Sequence, residues 1–171
     1  IVLGKHSGRA GFKDALDKLN ITLDDEAFNS SFDTFKKLAD RKGEIVENEL
    51  RAIVGQVETS SSEIELVSVS VNSKDQYASA SVTLNVHGKE ITQKAEGDGM
   101  IHAAFTAVKK ILKTDATLID YRVESITKGA DATAEIVTII NDGHNLKQGR
   151  AVSTDVVQGS VESFLNALNR E

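Results

Sequence analysis

Residues 63–112 read EIELVSVSVNSKDQYASASVTLNVHGKEITQKAEGDGMIHAAFTAVKKIL, and within them the hydrophobic period changes. EIELVSVSV (63–71) and YASASVTLNVH (77–87) alternate, the second placing Ala78, Ala80, Val82, Leu84 and Val86 on one face, which predicts two strands with one buried side. HGKE (87–90) predicts a hairpin turn and EITQKAEG (90–97) a third strand. From Ile101 to Leu112 the period becomes helical, with Ile101, Ala104, Phe105, Val108, Ile111 and Leu112 as the apolar stripe. The stretch is therefore a β-β-β-α unit: an antiparallel sheet with one apolar face and a helix that can cover it.

The pattern then repeats. TLIDYRVESIT (117–127), ATAEIVTII (132–140) and NLKQGRAVS (145–153) predict three more strands, and DVVQGSVESFLNALNR (155–170) a second helix. Glu90–Gln93 corresponds to Asn145–Gln148, an offset of about 55 residues, which marks a duplicated supersecondary unit more than a solenoid. The first third is helical instead. Phe12, Ala15, Leu16 and Leu19 share one face; Phe28, Phe32, Phe35 and Leu38 share another; Leu50, Ile53, Val54 and Val57 share a third. Thr22 and Asp25 predict a capping box before the second helix, and TSSSE (59–63) predicts a boundary. The expected fold class is α+β. A short helical linker region spans 1–58, and a domain of two β-β-β-α units, about 62–113 and 116–171, spans 59–171.

Composition excludes several function classes. A net charge of −6 and a pI near 5.3, without a basic cluster, exclude counterion-driven binding of nucleic acid. The absence of cysteine excludes disulfides and thiolate metal sites and fits a reducing, cytoplasmic location. No apolar run approaches the roughly 18 residues of a membrane span, so no membrane partner is expected. The chain opens on Ile1 rather than an initiator Met, as a piece of a longer protein would.

Candidate chemistry is sparse. His6, His87, His102 and His144 lie far apart in sequence, so no metal site is expected. The serines show no nucleophile elbow, and no catalytic residue is assigned. GDGMIH (97–102) imitates a dinucleotide fingerprint but has His102 in place of the third glycine, and its strands connect as hairpins rather than parallel crossovers. Two readings of Gly97–Asp98–Gly99 stay open on residue chemistry alone. Asp98 could simply cap the helix, or the loop could wrap an anion against the free N–H groups of the helix start. The second unit has no such loop: Ser153, Thr154 and Asp155 read as an ordinary capped start.

Three stretches go beyond this generic pattern: VLGKHSGRAGFKDAL (2–16), EGDGMIHAAF (96–105) with DYRVESITKGADA (120–132), and GRAVSTDVVQGSVESFLNALN (149–169). In content, order and spacing they resemble the C-terminal part of the 2-isopropylmalate synthase family in the wide sense, which includes citramalate synthases. The resemblance spans nearly the whole chain. It implies linker helices plus a regulatory domain that binds the feedback amino acid, forms a homodimer and serves its own N-terminal catalytic barrel. The barrel, its divalent metal and its acetyl-CoA and 2-oxo acid sites would lie outside this chain, leaving no cofactor here.

The resemblance carries over an effector site: Gly97, Asp98, Gly99, Ile101 and His102 at the loop and helix start, then Leu118, Tyr121, Ser125, Ala132 and Ala134. Helix N–H groups would hold a carboxylate, Asp98 or backbone carbonyls an ammonium, and Leu118 and Tyr121 an aliphatic side chain. L-leucine is the implied effector, with isoleucine sensing in a citramalate synthase, or a structural dimerisation module with a vestigial pocket, as alternatives. The family commonly reads GDGPIDAAF, where this chain has Met100 for the proline and His102 for the acidic residue. Lys5, His6 and Arg9 in GKHSGR match the linker near the barrel and receive no catalytic role.

Overall fold

The computed structural model describes residues 2–59, 63–129 and 132–169. Its elements are β1 (Val2–Gly4), α1 (Arg9–Lys18), α2 (Asp25–Lys42), β2 (Glu44–Val46), α3 (Glu47–Thr59), β3 (Ile64–Lys74), β4 (Tyr77–Val86), β5 (Lys89–Gly97), α4 (Met100–Leu112), β6 (Thr117–Ser125), β7 (Ala134–Asn141), β8 (Leu146–Ser153) and α5 (Val156–Asn169). The fold is α+β, and the order βββα occurs twice, in antiparallel sheets β3-β4-β5 and β6-β7-β8.

The helical region closes on its own aromatic core. Phe12 stands edge-on to Phe28 and Phe32 at 5.5 and 5.7 Å, and Phe35, Leu38, Leu50 and Ile53 are buried with it. Two details differ from expectation. The cap of α2 is Asp24, whose carboxylate accepts from the Ala27 N–H at 2.8 Å; Thr22 and Asp25 do not form the predicted box, because Asp24 is the residue in extended geometry at the helix start. The first third also holds a small antiparallel pair, β1 with β2, in register Leu3↔Ile45. Three-residue strands are too short to show alternation, and Gly43, at φ +89°, ends α2 and turns the chain into β2. The expected boundary falls mostly on residues 60–62, outside those described.

Within the units, the alternation on β4 is realised: Ala78, Ala80, Val82 and Leu84 are buried under α4. His87 and Gly88, at φ +51° and +88°, form the β4–β5 turn. The two helices touch through Phe105 and Phe164, stacked at 4.3 Å, so both units share one core. Cover is unequal. Helix α5 packs on β7 and β8 and also reaches across to β3, whereas β6 remains largely open along its length.

Candidate functional site

The start of α4 is the most specialised backbone in the first unit. Its N-cap is Gly99, at φ +115° and ψ 155°, a conformation that is essentially restricted to glycine, and no side chain caps the helix. Asp98 is exposed and is not the cap, so the plain-capping reading of the loop does not hold. Gly97 is needed for a different reason: a Cβ there would lie 3.0 Å from the Ala103 nitrogen, so the loop folds tightly back on the first turn. The Gly99 carbonyl accepts from the Ala103 N–H at 3.0 Å, which starts the helix. The N–H groups of the preceding turn have no side-chain cap, and the positive end of the helix dipole sits among them.

The second helix begins otherwise. Asp155 accepts from the Gln158 N–H at 3.1 Å, and Ser153 Oγ accepts from the Asp155 N–H at 2.9 Å, the capped start its sequence predicts.

Among the remaining candidates, Ile101 and Tyr121 pack against the same core cluster. The Tyr121 ring stands edge-on to Phe105 at 6.1 Å, and its hydroxyl shares a 2.5 Å hydrogen bond with Ser160 Oγ on α5. His102 is exposed on the first turn of α4. Ser125 pairs with Ala134 across β6 and β7, and Ala134 is buried while Ala132 is half-buried in the preceding loop. Leu118 pairs with Ile140 at the other end of β6. Leu118 and Ser125 are thus roughly 20 Å apart at about 3.3 Å per residue, and the candidates trace an open trough along β6 rather than a closed pocket.

Exposure on β6 sharpens that description. Leu118, Ile119 and Val123 are 45%, 53% and 43% exposed. Val123, opposite buried Ile136, shares the inner side of the sheet with Tyr121, opposite buried Thr138. A sheet face of this kind normally lies under a helix. Here Tyr121 reaches Phe105 and Ser160 while its neighbours on β6 stay open. Sequence reasoning missed Ser160, because a serine inside an amphipathic helix gives no local sign of the tyrosine it meets. Among the described residues no group of three or more His, Cys, Asp or Glu side chains is placed to hold a metal ion.

The comparisons agree with this architecture. A family model for the LeuA allosteric (dimerisation) domain matches residues 44–171, from β2 to the end of the chain. Among similar proteins, the 2-isopropylmalate synthase of Acidimicrobium ferrooxidans is 41% identical over 173 residues, covering 99% of this chain and 34% of that protein. That of Dechloromonas aromatica is 41% identical over 174 residues, with 99% and 34% covered, and that of Ruminiclostridium cellulolyticum 37% over 172 residues, with 99% and 34% covered. The chain spans about a third of the length of the curated relatives it matches. With two βββα units and a match over most of its length, the chain belongs to the LeuA allosteric (dimerisation) domain family.

Proposed function

We propose that this chain is the effector-sensing part of a 2-isopropylmalate synthase, binding L-leucine at the Gly97–Gly99 loop and along the β6 trough. The parent enzyme condenses acetyl-CoA with 2-oxoisovalerate in its own barrel, and leucine inhibits it through this domain in the cytoplasm. The observation that carries the proposal is the uncapped α4 N-terminus behind a glycine that only glycine can satisfy. A leucine carboxylate is matched to those N–H groups, and Asp98, exposed and not engaged as a cap, is free to face its ammonium. The aliphatic side chain lies against Tyr121 and the open apolar positions of β6. A second copy of the chain covers the rest of that face, which makes the working unit a homodimer. Because coupling is reciprocal, leucine binds the inhibited arrangement more tightly by about 1–3 kcal/mol.

Isothermal titration tests this directly, with L-leucine, L-isoleucine and L-valine run in parallel. The expected result is saturable binding that prefers leucine and is abolished by Gly99→Val, since a β-branched residue cannot adopt φ +115° without moving the loop. A preference for isoleucine would transfer the parent to citramalate synthesis. Silence towards all three in a folded dimer would leave a purely structural module.

A further inference from the structure

The helical region contains a buried charge where an apolar contact would serve stability as well. Glu49, at the start of α3, is fully buried, and its partner Lys42, at the end of α2, has a side chain only 8% exposed. The ammonium donates to Glu49 Oε2 at 2.7 Å, to Thr133 Oγ1 at 3.1 Å and to Thr127 Oγ1 at 3.4 Å. The Thr133 hydroxyl in turn donates to Glu49 Oε2 at 2.5 Å, and the other carboxylate oxygen accepts from the Val46 N–H at 3.0 Å. All three ammonium donors and both carboxylate oxygens are therefore engaged.

What this network grips is specific. Thr133 is fully buried and stands between Ala132 and Ala134, and its N–H donates to Thr127 Oγ1 at 2.9 Å. The Thr133 carbonyl accepts from the Ile126 N–H at 2.9 Å, and the Ile126 side chain packs into the helical region's core. One end of the β6–β7 connection, at Thr133, is thus fastened to α2 and α3 by hydrogen bonds to the Lys42–Glu49 ion pair, and the other, at Ile126, by an apolar contact with the helical region's core. We infer that Lys42, Glu49 and Thr133 are positioning residues for the effector site: they hold the Ser125–Ala132–Ala134 end of the trough and tie its movement to the α2–α3 junction. The inference rests on the leucine reading above. It adds the joint through which a bound amino acid is felt in the helical region.

Thr133→Val tests it, since the change keeps the volume and removes only the hydroxyl. Leucine affinity by calorimetry should fall about tenfold or more, and Thr133→Ser should restore it to within about threefold. Hydrogen exchange supplies a readout that a merely structural role would not move. Leucine should slow exchange at the Val46 amide in the wild-type chain and leave it unchanged in Thr133→Val. Should that variant not fold, Thr127→Val removes the acceptor of the Thr133 N–H and the longest of the three Lys42 hydrogen bonds, keeps the Lys42–Glu49 and Thr133–Glu49 contacts and is read in the same way. Wild-type binding with variant affinity within about twofold, and Val46 still responding, overturns the inference alone. A wild-type chain that binds no leucine overturns the effector reading and the inference with it.

Discussion

The edge strand that opens each unit is treated differently. β3 keeps Ile64, Leu66, Val69 and Val71 half-buried against the shared core, because α5 reaches across from the other unit to cover it. β6, its counterpart, leaves Leu118 and Val123 close to half exposed. The helix starts differ in the opposite sense. In the first unit α4 begins uncapped on a positive-φ glycine, whereas in the second unit α5 begins on a carboxylate cap. So the open helix end belongs to one unit and the open sheet face to the other, and Tyr121 of β6 touches α4 at Phe105, six residues beyond the Gly99 cap. The duplicated scaffold thus breaks its symmetry at two points, a polar helix end in one unit and an apolar strand face in the other.

The largest effect that would test this division lies in the second unit. Gly149 on β8 sits so close under α5 that a Cβ would lie 2.1 Å from the Ser163 carbonyl oxygen and 2.3 Å from the Ala167 nitrogen. Gly149→Ala should therefore cost at least about 3 kcal/mol in urea unfolding, by lifting α5 off both sheets. A cost below about 1 kcal/mol would mean that α5 is loosely held, and the contrast between a firmly seated, capped α5 and an uncapped α4 would lose its basis.

The two aspartates at the helix starts give a smaller and more pointed comparison. Asp155→Ala removes a cap and should cost about 1 kcal/mol of stability while leaving leucine affinity close to wild type. Asp98→Ala should do the reverse, changing stability by under about 0.5 kcal/mol and weakening leucine binding. Thermal unfolding with and without leucine checks both. If Asp98→Ala destabilises the ligand-free chain as much as Asp155→Ala does, Asp98 is a cap after all.

Much of this was legible in the sequence. Alternation in YASASVTLNVH and the helical stripe from Ile101 follow from the period of each backbone, and duplication made each unit evidence for the other. The capped start at Ser153–Asp155 was legible too, since capping is a local matter of three or four residues. Other features were not, because their partners are distant. Lys42 and Glu49 look like surface charges until Thr133 arrives from 91 and 84 residues away. The alternation of β6 looked like an ordinary half-buried strand, because a sequence shows which side is apolar but not whether a helix reaches it. The glycine loop lay between the two cases. Its two glycines marked unusual backbone, but that Gly99 and not Asp98 would occupy the cap position depended on dihedral angles rather than residue type.

The smallest effect concerns how the second unit docks on the helical region. Glu162 on α5 accepts from Gln158 Nε2 at 3.1 Å and faces Lys37 and Arg41 of α2, with Asp155 nearby. Burial pushes its carboxyl above the ordinary glutamate value of 4.5; the Gln158 hydrogen bond and the two cations pull it back, and Asp155 adds a further upward push. A raised folded-state value means that this side chain's contribution to stability is complete below pH 4.5 and is lost as pH rises through the raised value. Glu162→Gln keeps an acceptor for Gln158 and removes the titration, so the variant should gain on the wild type as pH increases. The gain should be read as a higher melting temperature of the variant than of the wild type near pH 8, and it should disappear at pH 4. A pH-independent difference would mean that the carboxylate is solvated at the α2–α5 contact. The second unit would then rest on the helical region more loosely than α5 rests on its own sheet, and the tight side of the comparison would end at β8.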